Sequence, residues 1–549
     1  MTFRPLVVAA ALVLLLVCSG GVVAAETPSE TTAEETTPNA TLLEAYPNPV
    51  ARGDIGEFVV VDFDHPTNTT GWRLGDGTSE IGLPNRSFEG AVAFSATPKV
   101  ARNHTEWSVV EVDERLQLAN DGEQLVLRTE EGTVDTARYR NAPESRIRSF
   151  PSGVWRPVGA TDIEPVRSDG GKVTAFTLPD SPERVVEALR TADDRLLLAG
   201  YTLSSERVTE TLLSAHERDV TVRVLLDGSP VGGMSERQAE VLNQLSSAGI
   251  EVRLLDGPQT RYSHHHPKYA VVDERALVLT ENFKPAGTGG QSSRGWGVVV
   301  DNDELTAALA DLHAADWTWR AATPWPTYRE GRDFTASDPA VGTFETRHPP
   351  ERFSVDSATV LVAPDNAASV LEERIDGAET RVLVQQVNID SRENRLLRAA
   401  LRAADRGVTV RIQLSSGWYV KEDNAALVGW LNRRADVKGW DLEASVDDPD
   451  GYEKIHTKGL IVDDTAVVGS LNWGRTALTE NREVLVALEG ESVADYYATV
   501  FEDDRSEGER RAFPAGLLGV LAVVLAAALL LMKRIEFRGR EGVLTDWQW

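Results

Sequence analysis

Two copies of one pattern, His-x-Lys-x4-Asp, stand 190 positions apart in this chain of 549 residues. The first comprises His266, Lys268 and Asp273, the second His456, Lys458 and Asp463. The shared register runs further. Seven positions after each Asp comes a hydroxyl (Thr280, Ser470), and nine positions after it an Asn (Asn282, Asn472). A single copy arises by chance. Two copies in one register, each followed by hydroxyl-x-Asn, constrain the chain to a duplicated fold.

The runs KYAVVD and KGLIVD are apolar, rich in β-branched residues and of strand type. Alternate strand residues share a face, so His and Lys at i and i+2 project together. Two copies facing each other would gather two imidazoles and two ammonium groups around one small space. That space suits a phosphodiester. Lys and Asn side chains hold non-bridging oxygens and stabilise charge in the transition state. One His can attack phosphorus to give a phosphohistidine. The other can protonate the leaving oxygen and then activate water or an alcohol. The protein's own cations neutralise the phosphate, so no metal or other cofactor is expected. The Asp of each copy reads as an orienting or structural group. His264 and His265, just before the first copy, read as a solvated loop rather than a metal site.

This constellation resembles the phospholipase D superfamily, with its duplicated HKD motif. The second copy matches it closely, with Gly469-Ser470-Leu471-Asn472-Trp473 and then Glu480-Asn481-Arg482-Glu483. The first copy departs: Leu279 and Thr280 stand at the Gly and Ser positions, Ser293-Arg294-Gly295-Trp296 holds no Asn-x-Glu, and Pro267 separates His from Lys. The resemblance implies His266 as nucleophile and His456 as acid/base. Thr280, Asn282, Ser470, Asn472 and Glu483 are implied as phosphate-binding or supporting residues.

Upstream of each copy the order is helix, apolar strand (Leu196–Tyr201; Val382–Val387), amphipathic helix, strand (Val220–Leu226; Val408–Leu414). Alternating helices and strands predict two parallel-type sheets with helices. With the resemblance, they predict a pseudo-twofold α/β core of two halves, 166–321 and 356–505, with the site at their junction. The Pro-rich 322–355 reads as the linker between them. Trp418, Trp430, Trp440 and Trp473 fall in the second half, where core and rim packing is the expected role and a lipid or nucleobase site the alternative.

Residues 41–140 read as short strands between Gly, Asn and Asp turns, an all-β sandwich. The stretches TLLEAYPNPVARGDIGEFVVVDF and LQLANDGEQLVLRTEEGTVDTARY resemble the lamin-tail domain, an immunoglobulin-like fold. Its expected role is binding, spacing or assembly with another surface component. Residues 141–165 read as a linker, and 26–40, rich in Thr and Glu, as a disordered one.

Arg4, the apolar Leu6–Val17 and the small residues up to Ala25 read as a secretory signal over 1–25. Phe513–Met532 is a 20-residue charge-free run, long enough to span a bilayer. Lys533, Arg534, Arg538 and Arg540 follow it and place the 533–549 tail in the cytoplasm. The expected topology is an external body on a single anchor, and N-x-[ST] patterns at Asn39, Asn68, Asn85 and Asn103 agree with it. With only Cys18, no disulfide framework exists.

Net charge is −29, and only nine of the 56 basic residues are Lys, as in proteins of extreme halophiles. At molar salt the screening length is about 3 Å, so charge does not choose between lipid and nucleic acid. The leading expectation is a membrane-tethered phosphodiesterase acting on phospholipid head groups, by hydrolysis or transfer. The alternatives are a surface endonuclease cutting DNA and a non-catalytic surface binding protein. No basic run flanks either motif, which favours lipid over DNA.

Overall fold

The two strands that carry the motif lie at the centre of two mixed sheets, one in each half. The computed structural model describes residues 40–511, apart from 50–52, 54, 258 and 337–339. In the first half, Lys268–Val272 lies between Arg195–Gly200 and Arg275–Leu279. In the second, Gly459–Val462 lies between Arg381–Gln386 and Thr465–Gly469.

The sheets are mixed, where the helix–strand alternation predicted parallel ones. Across the junction Ser293–Asp301 pairs in parallel with Lys454–Ile455. Within each half the parallel strand pairs are formed by Arg195–Gly200, Thr221–Asp227 and Glu251–Leu255, and by Arg381–Gln386, Thr409–Leu414 and Leu442–Val446. These strands are joined by helical crossovers, which parallel pairing requires. Each motif strand instead continues into a hairpin through a two-residue turn and is therefore antiparallel to its partner. Asp273 (φ 51°) and Asp463 (φ 50°) occupy those turns in the left-handed region, which Asp tolerates better than most residues.

Every central strand is buried on both faces, as its apolar run demands. Leu196 and Leu198 face the helices of the first half, while Leu197 and Ala199 face the opposing sheet. Val382 and Val384 face the second half's helices, and Leu383 joins the shared layer. That shared layer holds Tyr269, Val271 and Val298 from one sheet with Ile461, Val468 and Val486 from the other.

The halves are less separate than the domain boundaries predict. Val166–Asp169, expected to open the first half, pairs with Ser357–Ala363 at the edge of the second half's sheet. The expected linker 322–355 contributes Ala322–Pro324 and Glu351–Ser354 to the first half's sheet. An open edge presents unpaired backbone groups, and adjacent extended segments cover both edges.

The N-terminal region is an all-β sandwich, as expected. A six-stranded and a four-stranded sheet share a core of Val59, Phe63 and Phe94 with Leu74, Leu125 and Leu127. It extends past 140: Arg146–Ser149 and Trp155–Pro157, in the expected 141–165 linker, pair into the larger sheet. The signal segment, the 26–40 linker except Ala40, the apolar run Phe513–Met532 and the tail lie outside the described residues. Among the described residues no helix is long and apolar enough to cross a membrane.

Candidate active site

Each motif histidine is held in place by the opposite half. The backbone N–H of His266 donates to the carbonyl of Arg482 (3.0 Å), and that of His456 to the carbonyl of Arg294 (2.9 Å). Lys454–Ile455 pairs with Ser293–Arg294, and His265 bridges to Arg482, so the exchange is symmetric. The two arginines anchor it. Arg482 is buried and binds Asp316 of the first half (3.0 Å) and Asp365 of the second (2.9 Å). Arg294 is buried and binds Asp180 of the first half and Asp504 of the second (2.9 Å). No local sequence pattern marks this Arg–Asp scaffold.

The imidazoles are also paired across the junction. His266 Nδ1 lies 2.9 and 2.8 Å from the two carboxylate oxygens of Glu483. His456 Nδ1 lies 3.2 Å from Oε2 of Glu281. Lys458 Nζ lies 3.0 Å from His456 Nδ1 and donates to the carbonyl of His456 (2.6 Å) and, across the junction, to that of Thr280 (3.3 Å). Lys268 Nζ donates to the carbonyl of His266 and stands 5.4 Å from the centre of the Tyr201 ring. Tyr201 closes one side, its ring 4.7 Å from that of His266.

Burial sets the protonation states. It holds His266 well below the ordinary imidazole value, with Lys268 and Lys458 adding to the effect. It pushes His456 down to about 4, against the pull of Glu281. Lys268 falls well below a normal lysine and Lys458 to about 8, again through burial. Burial raises Glu483 to about 7, opposed by Lys268. Glu281 feels the same burial, but His456 and the two lysines overcome it and hold its carboxylate below the usual value.

Parts of the chain are similar to known proteins. The family described as "Cardiolipin synthase, PLD-like domain" matches residues 185–317 and 371–505. The chain is 32% identical over 155 residues to the mitochondrial cardiolipin hydrolase of Xenopus laevis, covering 28% of this chain and 69% of that protein. The chain belongs to the phospholipase D superfamily. It is also 26% identical over 150 residues to a phospholipase D of Rickettsia bellii, covering 27% of this chain and 68% of that one. The solved phosphatidylserine synthase of Haemophilus influenzae aligns with a TM-score of 0.46 and 14% identity, over 65% of this chain and 94% of that one.

Within this phospholipase D-like core, the first half supplies its glutamate from an unexpected position. Trp296 N–H donates to the hydroxyl of Thr280 (2.9 Å), and Val484 N–H to that of Ser470 (3.0 Å). This register places Gly295 opposite the position of Glu483. A Cβ at 295 would overlap the Glu281 side chain. Glu281 thus occupies the room that a side chain at 295 would need, and reaches His456 from there. Glu281 was passed over in the sequence because it sits between Thr280 and Asn282, where the second copy has Leu471. The substitution of Glu for Leu at that site was the only available signal.

The remaining expected site residues divide. His266, Lys268, His456, Lys458 and Glu483 meet at the junction of the phospholipase D-like halves. Asp273 and Asp463 do not join them and act at the far ends of the motif strands. Asp273 accepts the backbone N–H groups of Asp193, Asp194 and Arg195 (2.8, 2.9 and 2.9 Å). Asp463 accepts those of Glu379, Thr380 and Arg381 (3.0, 2.8 and 3.0 Å). Both clamp a helix-to-strand turn. Thr280 and Ser470 fasten neighbouring strands through the bonds given above. Asn282 and Asn472 stay half-buried beyond them, and the side-chain amide oxygen Oδ1 of Asn282 is buried without a protein partner.

The His-rich run is not a solvated loop. His265 is 2% exposed, and Asp227 accepts its backbone N–H (2.6 Å). His264 Nδ1 lies 3.8 Å from Asp227. Pairing of His265 with Arg482 draws the run inside. The four tryptophans also part company. Trp473 is buried, Trp430 and Trp440 pack on the second half's core, and Trp418 is 89% exposed.

Proposed function

We propose that this chain is a membrane-tethered, external phosphodiesterase that cleaves or transfers phospholipid head groups through a covalent phosphohistidine. The observation that carries the reading is the crossed pairing of His266 with Glu483 and His456 with Glu281, beside two buried lysines. Glu483 engages Nδ1 of His266 and leaves Nε2 as the attacking nitrogen, kept neutral by burial. Nε2 bonds to phosphorus as the P–O bond to the leaving alcohol breaks, and His456 donates a proton to that oxygen. His456 then takes a proton from water or an acceptor alcohol, whose oxygen attacks phosphorus and breaks the P–N bond. Lys268 and Lys458 neutralise the phosphate throughout, and its negative charge favours the protonated form of His456. The apolar run Phe513–Met532 supplies the tether in this reading and keeps the site beside lipid at high effective concentration.

The test incubates the full-length protein in high salt and EDTA with phospholipid vesicles and plasmid DNA together. Head-group release with intact plasmid is the expected result. The His456→Ala variant should lose turnover by roughly a thousandfold. Nicked plasmid with unchanged lipid would replace this reading with a surface nuclease, and activity restored only by a divalent cation would overturn the two-lysine account.

A further inference from the structure

Four cations that the sequence scatters converge on one open groove in the second half. The groove, about 560 Å³, lies between the helices Arg395–Asp405 and Lys421–Lys438, with Trp430 and Trp440 in its wall. The Arg392 guanidinium stands 5.0 Å from the centre of the Trp430 ring. Arg434 stands 5.5 Å from Trp430 and 5.4 Å from Trp440, and Lys438 stands 6.0 Å from Trp440. Arg398 completes the set.

The groove gathers positive charge on an acidic molecule. In a chain of net charge −29, Arg402, which also lines the groove, and nearby Arg381, Arg395 and Arg411 are each paired with a carboxylate. Among the described residues, no carboxylate lies within ion-pair distance of Arg392, Arg398, Arg434 or Lys438. The groove's own acids are engaged elsewhere. Asp405 accepts the indole N–H of Trp440 (2.8 Å), and Glu393 accepts the hydroxyl of Ser391 (3.1 Å).

We propose that this groove is a second, non-catalytic site for the phosphate head group of an anionic phospholipid, which holds the enzyme on its substrate surface. Cations held against tryptophan rings and left without counterions are pre-organised for phosphate oxygens. Single-stranded nucleic acid would need open aromatic faces for its bases, and here guanidinium groups already stand against Trp430 and Trp440. Val437, 85% exposed beside Lys438 on the same helix, adds an apolar contact next to the charge. Basic side chains at the head-group level with apolar ones beneath are how an interfacial helix meets a bilayer. The proposal rests on the lipid reading of the active site.

The experiment uses the full-length protein in non-ionic detergent, in the His456→Ala background, and measures binding of short-chain phosphatidylglycerol, short-chain phosphatidylcholine and oligothymidylate by calorimetry. Arg392→Gln/Arg434→Gln/Lys438→Gln is expected to weaken phosphatidylglycerol binding on the order of a hundredfold, as losing three cations near an anionic surface implies. Lysine in place of both arginines should restore most of it. Hydrolysis of bis(4-nitrophenyl) phosphate by the triple variant with His456 intact should match the parent.

Undiminished phosphatidylglycerol binding in the triple variant would overturn the proposal. So would a preference for oligothymidylate that the substitutions abolish, or inorganic phosphate binding as tightly as the lipid. If the parent binds phosphatidylglycerol through these residues yet hydrolyses no phosphodiester, the groove stands and the catalytic reading falls.

Discussion

Glu281 and Gly295 show one chemical requirement met from two backbone positions. The second half aims a glutamate from the strand Glu483–Glu489; the first leaves the equivalent position to glycine and reaches His456 from the preceding strand's end. Glu281→Gln should cut kcat by about ten- to a hundredfold while KM changes little, since the carboxylate orients His456 and stabilises its charged form. The exchange Glu281→Gly/Gly295→Glu should recover much of that loss because the same space is refilled from the other strand. Steady-state kinetics of the three proteins check this, and no recovery in the exchange variant would deny that the positions are equivalent. Lys458 sets a second expectation. Burial lowers it to about 8, so its cation is fully present below that value and lost as pH rises through it. The rate should fall on the alkaline side near pH 8, and Lys458→Arg, which stays charged, should move that limb upward in a pH–rate profile. On the acid side the nucleophile His266 stays neutral well below the ordinary histidine value, and His456 acts in its protonated form, so activity should persist below pH 6. The motif's His and Lys were legible because their spacing recurs. Its aspartates, read as orienting or structural groups, are structural: each sits in a hairpin turn and clamps a neighbouring helix-to-strand turn, away from the histidines.

The unit that matters at the level of strands and helices is the pair of buried Arg–Asp triads. Arg482 with Asp316 and Asp365, and Arg294 with Asp180 and Asp504, tie the strands carrying the histidines' backbone acceptors to helices and loops of both halves. Arg482 is fully buried, and both of its carboxylate partners are 2% exposed or less at the side chain. Arg482→Met removes the cation and leaves two buried carboxylates facing each other. It is expected to cost about 3–5 kcal/mol of stability at neutral pH, as loss of one partner of a buried pair does. Denaturant unfolding measures this, and a loss below about 1 kcal/mol would mean the triad is not a stability element. Neither triad was legible, because their members lie far apart in sequence and arginines and aspartates are spread throughout this chain. The strands themselves were read to within a residue, since burial on both faces writes them as unbroken apolar runs.

For the whole molecule, charge dominates. A net charge of −29 makes the folded state repel itself, and the paired surface arginines relieve only part of that. Raising salt from about 0.1 M to about 1 M shortens the screening length from about 10 Å to about 3 Å. The thermal midpoint is therefore expected to climb over that range, and calorimetry at several salt concentrations checks it. A midpoint independent of salt would show that the acidic surface carries no penalty at low ionic strength. The shared layer between the sheets makes the two halves one packing unit, as the expected pseudo-twofold core implies, but edge strands are exchanged across what the sequence suggested was a plain linker.

The sequence alone determined the duplication, the phospholipase D resemblance, the central strands, the all-β region and five of the residues that meet at the site. All of these rest on local patterns, in which periodicity or fixed spacing encodes the outcome within a few residues. Only the tertiary structure decided which half supports which histidine, that Glu281 stands in for a glutamate at 295, that the motif aspartates are turn clamps, and that scattered arginines form one groove. Those outcomes depend on register across strands and on contacts between residues separated by tens to about 200 positions, and no local pattern specifies either.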